Sequence, residues 1–355
     1  MDIPKIIFLG FNDIDYSRSG TFVNPNHLDS YESLFLQVGY SLKEILQISL
    51  NIRKDLSMSK AIIVILSPSQ KLVPFIRIIA KKQVFFDAGW TLTEASVHRK
   101  SSLKILTKNY LLDFLAMHLA KITFLESDSQ ILWVRKIFKV KSKKLRKIYT
   151  GFNDELYEKM SKSLLSQYTH EIRRRKKNLT VLYRGKWNAE SGLDLLAEVS
   201  HNPELSSVLF VIVTDRIPAM TTFGSNVLVI DRYITHEELH SIYLMSDVTL
   251  GQLTNHPRLS NTIPHKAFEA GFYGKTYISQ SASGVRELYP EDYQVIYMAK
   301  GTPKLLTEIL IDLARLPNKM RMYETQIKLR YEKVASQEVL RSQFISQILA
   351  AIDCK

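Results

Sequence analysis

Two Rossmann-like α/β domains in series are the architecture this 355-residue sequence predicts. Three observations predict it. Short apolar runs of strand type alternate with longer helix-like stretches, the pattern of parallel βα units. The runs number eleven, more than one open sheet holds comfortably. A helical, charged stretch, YEKMSKSLLSQYTHEIRRRKK (157–177), separates them into two sets.

In chain order, the first set is KIIFLG (5–10), AIIVIL (61–66), QVFF (83–86), KITFLE (121–126) and RKIY (146–149). The second is LTVLYR (179–184), VLFVIV (208–213), NVLVI (226–230), DVTLG (247–251), KTYIS (275–279) and YQVIYM (293–298). Continuous apolar runs such as VLFVIV suit strands covered on both faces. Helical patterns fall at 30–55, 109–120, 192–200, 235–245 and 303–315, and one or two long helices fill the tail from 317 to 352. The expected domains are 1–165 and 166–330, followed by a C-terminal helix over 331–355. There is no internal repeat and no low-complexity segment.

Composition narrows the class. The chain is 45% hydrophobic, enough for sizeable cores. No apolar run reaches the roughly 18–20 residues that cross a bilayer. The best candidate, LLDFLAMHLAKITFL, is interrupted by Asp113, His118 and Lys121. MDIPKIIFLG lacks a basic n-region and reads as a first strand rather than a leader. Cys354 is the sole cysteine, so no intramolecular disulfide forms, which suits a reducing cytoplasm. Charge is split along the chain. Through Lys177 there are 30 Lys and Arg against 16 Asp and Glu; from Asn178 onward there are 18 against 19. The first half therefore carries the whole excess of +13, and an anionic partner would meet that half.

In such sheets ligands bind outside the carboxyl ends of the strands. The loops after Gly10, Asp87, Arg184, Ile230, Gly251 and Ser279 are thus the ones to read. In YRGKWNAESGLDLL, the strand ends in Arg184, Gly185 and Lys186 before a helix near Gly192. Two cations and a glycine there form a diphosphate site, with help from the helix dipole, or they merely snorkel at the sheet edge. In DRYITHEELHSIY, Thr235 and Glu238 fit a capping box, and Tyr233 either stacks on a nucleobase or simply packs. In IPHKAFEAGFYGKTYIS, Pro264 suits a first helical turn. Lys266 sits where a helix dipole disfavours a cation, and Glu269 is three residues on. The two either reach one ligand together, phosphate and hydroxyls, or form an exposed intrahelical ion pair.

The order of these pieces resembles the C-terminal half of a GT-B glycosyltransferase of the large retaining nucleotide-sugar group. RGKWNAESG, HEELHSIYLMSDVTLG, PHKAFEAGFYGKTYIS and SGVRELY stand where that group has its phosphate loop, its helix–strand pair, its P-x-K-x-x-E segment and its Gly-x-x-Glu-Leu turn. The resemblance covers about 179–345; in the first half it rests on element order. It implies that Glu269 binds the nucleotide ribose, that Lys186 takes the place of the phosphate-binding arginine, and that Lys266 lies beside the donor loop. By the same resemblance Asn261, Thr262 and Ile263 belong to that loop, with Arg184, Gly185 and Tyr233 as further donor contacts. The donor would sit in an interdomain cleft, the acceptor on the N-terminal domain, and the final helix would cross back to that domain. Three positions depart from the pattern: Asn261 replaces the first glutamate of the Glu-x7-Glu motif, Ser191 replaces a second phosphate lysine, and Thr276 replaces a proline. Arg184 is the candidate to supply the charge missing at Ser191.

The expected chemistry is sugar transfer from a nucleoside-diphosphate donor, with chain cations and backbone amides taking up the leaving charge. No cofactor or metal is expected beyond the nucleotide-sugar co-substrate. Asp13 and Asp15 have an Asp-x-Asp spacing but follow the first strand. Retention of configuration is implied by the resemblance. Gly10 and Asp87 are the candidate acceptor contacts: Asp87, in FFDAGW, either orients or deprotonates a hydroxyl or caps its loop. WVRKIFKVKSKKLRKIY (133–149) carries eight cations among aromatic and aliphatic residues. It suits an anionic membrane surface, single-stranded nucleic acid or plain solvation; on an acceptor domain, membrane contact and a glycan or lipid-linked acceptor are the expectation, nucleic acid the lesser one. A cytoplasmic protein, peripheral at the membrane face, follows. The competing readings are an inactive binding protein on the same fold and a sugar-nucleotide epimerase.

Overall fold

The computed structural model describes residues 5–12, 17–23, 31–54, 61–160 and 167–353. Asp13, Asp15 and Cys354 lie outside the described residues. The chain divides into two compact units, Met1–Asn153 with Gln337–Lys355, and Asp154–Ser336. These divisions fall at 153 and 336, where the sequence placed them at 165 and 330.

The first unit is built on strands β1 (Lys5–Gly10), β2 (Glu32–Gln37), β3 (Ile62–Leu66), β4 (Val84–Gly89), β5 (Ile122–Leu125) and β6 (Leu145–Lys147). They lie in the order β2-β1-β3-β4-β5-β6, all parallel. β2 corrects the sequence reading, which ran one helix over 30–55. ESLFLQ is a half-buried edge strand paired with β1 alone, so it lacks the unbroken apolar run that marks a central strand. The helix begins only at Leu42. Ser41 starts it: its hydroxyl accepts from the Glu44 amide at 3.2 Å, and Glu44 accepts from the Ser41 amide at 3.3 Å. The last helix, Gln337–Asp353, belongs to this unit. Its buried Arg341 donates to the Thr21 carbonyl at 2.8 Å, and Phe344 stacks on Phe22 with centroids 4.4 Å apart.

The second unit holds β7 (Leu179–Arg184), β8 (Val208–Val213), β9 (Val227–Ile230), β10 (Val248–Leu250), β11 (Thr276–Gln280) and β12 (Ile296–Met298). Their order is β12-β11-β10-β7-β8-β9, all parallel. Counted from β7 this is the 3-2-1-4-5-6 order of a dinucleotide-type sheet, whose direction reverses between its first and fourth strands. The switch point lies between β7 and β10. Alternation splits β8 between two cores: Val208, Phe210 and Ile212 pack on one face, and Leu209, Val211 and Val213 on the other. Each such residue contributes about 1.5–3 kcal/mol by leaving water. Among the described residues no helix is long and apolar enough to cross a membrane.

Candidate functional site

The site is built on the carboxyl end of β7 and the helix His265–Tyr273. Alternation along β7 places Arg184 on the same side as Leu182, the face that Tyr243 also packs against. Gly185 follows with φ +141, a conformation that a residue with a Cβ resists, so the chain can turn there, its amide donating to the Val213 carbonyl at 2.9 Å. Pro264 is the N-cap of the next helix rather than a first-turn residue. Gly271 lets this helix approach its neighbours, since a Cβ there would lie 2.2 Å from the Tyr289 hydroxyl oxygen and 2.7 Å from Tyr331 Cβ.

Glu269 is buried, and its carboxylate is fully engaged. Arg184 donates through Nε to Oε2 at 2.8 Å and through Nη2 to Oε1; the Tyr243 hydroxyl donates to Oε2; and His265 Nδ1 lies 2.9 Å from Oε1. A bidentate guanidinium and two further partners offset the cost of burying that charge. Burial, with Arg184 next to it, pushes the His265 imidazolium down to about 3, so the ring is neutral near pH 7. Burial raises the Tyr243 hydroxyl to about 12, so it remains a donor.

Lys266 and Glu269 do not converge on one point. Lys266 is buried under the Gly185 loop, its Nζ 2.9 Å from the Gly251 carbonyl and 3.1 Å from Gln252 Oε1, at the carboxyl end of β10. Its ammonium lies 3.9 Å from the centroid of the Tyr183 ring. Burial, reinforced by Arg184, pushes its pKa well below the ordinary lysine value. Neither the exposed ion pair nor the shared ligand grip read from the spacing is present. The amine instead ties β7 to β10 at the switch point.

A cavity of about 300 Å³ opens beside this network. Arg184, Gly185 and Lys186 form one wall, Asp215 and Tyr233 another, and His265 and Glu269 also line it. Lys186 is 71% exposed, with Nζ 4.0 Å from Asp215 Oδ2. Tyr233 is 76% exposed and its hydroxyl reaches Asp215 at 3.4 Å. Arg232, Tyr157 and His236 also line it, the Tyr157 Oη and His236 Nδ1 2.6 Å apart.

Five residues predicted from sequence therefore share one cavity: Arg184, Gly185, Lys186, Tyr233 and Glu269. Asn261, Thr262 and Ile263 are not among its lining residues. Asn261 closes a 3-10 turn, Thr262 donates its hydroxyl to the Arg258 carbonyl at 3.0 Å, and Ile263 is buried. Ser191 satisfies its own turn, donating to the Asn188 carbonyl at 2.7 Å and accepting from the Leu193 amide at 3.2 Å. Arg184 spends its guanidinium on Glu269, so as it stands it does not supply the charge missing at Ser191. Gly10 ends β1 in the first unit. Asp87 is corrected: it is fully buried and held by Arg18, through Nε at 2.6 Å and through Nη2, so it is not an open base at a loop. Sequence reasoning missed His265, Tyr243, Asp215, Tyr157 and His236. The i,i+4 spacing of His265 and Glu269 was a usable signal, as was the end of β8 before Asp215.

No protein-family model matches the sequence, and no curated protein is similar to it by sequence. Solved structures do match its fold. HepE of Anabaena, crystallised with UDP-glucose, superposes with TM-score 0.70 at 13% identity, over 98% of this chain and 99% of that one. A glycosyltransferase of Rickettsia africae superposes with TM-score 0.67 at 8% identity, over all of both chains. Sucrose-phosphate synthase of Thermosynechococcus elongatus gives 0.64 at 12%, over 98% and 100%. The fold is that of the GT-B glycosyltransferases.

Proposed function

We propose that the chain is a glycosyltransferase that takes a sugar from a nucleoside-diphosphate donor bound in the second unit. The observation that carries this is the cavity itself. It lies at the carboxyl edge of the sheet, next to the strand-order switch, and brings a glycine-turned loop, the cations Arg184, Lys186 and Arg232, an exposed tyrosine and a buried carboxylate to one place. HepE, on the same fold, was crystallised with UDP-glucose.

In this reading Lys186, presented where the chain turns at Gly185, meets the diphosphate, Tyr233 stacks on the base, and Glu269 accepts from ribose hydroxyls. Glu269 is already contacted by three residues, Arg184, Tyr243 and His265, so Arg184 must share it. The guanidinium is 28% exposed and lines the cavity, so it can turn toward the diphosphate while Tyr243 and His265 keep Glu269 in place. Lys266 is a positioning residue that holds the loop's floor. Negative charge developing on the leaving diphosphate is then taken up by groups of the chain, which lowers the barrier to transfer. Retention of configuration, action without a resident metal, and a glycan or lipid-linked acceptor at a cytoplasmic membrane surface are parts of the same proposal. The basic composition of the first half supports the last of these.

Asn261 and Ser191 favour a second reading, a binding protein on the same fold that no longer transfers sugar. A panel of UDP-, GDP- and ADP-sugars separates the two. The proposal expects a nucleoside diphosphate to raise the melting temperature and its sugar to be consumed. Stabilisation without consumption would establish the second reading, and neither effect would remove both.

A further inference from the structure

The first unit has a second charged cavity, at the opposite edge of its sheet. It measures about 410 Å³ and lies where β4, β5 and β6 begin. Arg77, His118, Lys121, Lys143 and Lys144 line it, and no acidic side chain does. They come from separate places: the end of the helix Leu72–Ile78, the end of the helix Leu103–Leu119, the residue before β5, and the turn Ser142–Lys144. Three have local duties: His118 Nε2 lies 3.0 Å from the Phe138 carbonyl oxygen. Lys144 donates to the His118 carbonyl at 2.6 Å, and Arg77 lies in the last turn of its helix, where a cation is favoured. Lys121 and Lys143 have no carboxylate partner among the described residues. Burial, then Arg77 and Lys141, lower the Lys144 pKa, so the fold holds like charges together against their repulsion. That is the electrostatic form of an anion site.

The surroundings specify the anion. On the helix Leu103–Leu119, Lys104, Lys108, Leu111, Leu115 and His118 fall on one outward face by their spacing. Leu111 is 52% exposed and Leu115 43%, so an apolar stripe flanked by lysines leads to the cavity. A soluble phosphate would gain nothing from that stripe, whereas a lipid would lay its chains along it. We propose that this cavity binds the phosphate of an anionic lipid headgroup. The inference rests on the reading that the first unit meets a membrane, and it adds a defined site to it.

The test is co-sedimentation of the full chain with phosphatidylcholine vesicles containing phosphatidic acid, or phosphatidylserine at matched surface charge. A several-fold preference for the accessible phosphate of phosphatidic acid is expected. Lys121→Gln with Lys143→Gln should abolish the preference and weaken binding about fivefold per lysine, the loss of one cation at such a surface. Lys304→Gln, in the second unit, should leave it unchanged. Glycerol 3-phosphate should displace the wild type, a measurement that needs no variant to fold. Equal binding to both lipids, or unchanged preference in the double variant, overturns the site while leaving general membrane contact standing. Stabilisation by inorganic phosphate with no vesicle preference overturns the lipid assignment in favour of a free phosphate ester. Absence of vesicle binding overturns the membrane reading as well.

Discussion

In the first unit Arg18 grips Asp87 at the carboxyl end of β4; in the second, Arg184 grips Glu269 beside the carboxyl end of β7. The chemistry is the same, a bidentate guanidinium on a buried carboxylate. The surroundings are not. Arg18 is 2% exposed and its remaining nitrogen donates to the Thr150 hydroxyl at 2.9 Å. Gly89, at φ +59, is what lets it pass, since a Cβ there would stand 2.9 Å from Arg18 Cδ. That pair is sealed and fastens a helix to the sheet. Arg184 opens on a cavity, so the cost of releasing it is shared by water or by a ligand. Exposure of the arginine, not the presence of the pair, separates a fastener from a site.

Removing each carboxylate tests this directly and should give the largest effects. Asp87→Ala leaves Arg18 charged and buried, and is expected to cost about 3–5 kcal/mol in a urea melt. Glu269→Ala leaves an arginine that can turn outward, so about 1–3 kcal/mol is expected. The ligand effect should be reversed: nucleoside-diphosphate stabilisation vanishes in Glu269→Ala and is retained in whatever Asp87→Ala protein folds. Equal destabilisation of the two, with ligand stabilisation kept in Glu269→Ala, would break the comparison.

The two pairs also mark how far the sequence could be read. Parallel strands buried on both faces announce themselves, because VLFVIV needs no partner to be recognised as a central strand. β2 did not, since an edge strand is only half covered. Arg184, Gly185, Lys186 and Tyr233 lie at or just after strand ends and were found there. Which residues pair was not legible, because Arg184 and Glu269 are 85 positions apart and Arg18 and Asp87 are 69 apart. A strand-end Asp reads alike whether it is open or gripped by a helix elsewhere in the chain. Only tertiary structure distinguishes Lys266 under a loop from Lys266 on a surface.

Acid should affect the two units in opposite directions. His265 has its pKa depressed to about 3, so its contribution is present above the unfolded value near 6.5 and is lost as pH falls below it. Its ring is 30% exposed, so a discounted loss on the order of 1 kcal/mol from pH 7 to pH 5 is expected. Asp113, on the first unit's helix Leu103–Leu119, has its pKa raised to about 6 by burial, although the Thr93 amide donates to it at 2.7 Å. Its contribution is present below the unfolded value near 3.9 and is lost as pH rises through about 6, on the order of 2–3 kcal/mol. In urea melts across this range, His265→Gln should remove an acid-sensitive component and Asp113→Asn an alkali-sensitive one. The same slope in both variants would sink the assignment.

The smallest effect on stability belongs to Lys186, and it isolates function from fold. Its side chain is 71% exposed and its one ion pair among the described residues, with Asp215, spans 4.0 Å. Such pairs contribute little, so Lys186→Ala should shift stability by less than about 0.5 kcal/mol. If Lys186 meets the diphosphate, a charge-assisted contact worth about 1.5–3 kcal/mol is lost, and affinity for the nucleoside diphosphate falls roughly ten- to a hundredfold. Nucleoside affinity should barely move, because the base and ribose are held by Tyr233 and Glu269 instead. Equal weakening toward nucleoside and nucleoside diphosphate would place Lys186 outside the phosphate contact, and Arg184 would then have to carry the phosphates.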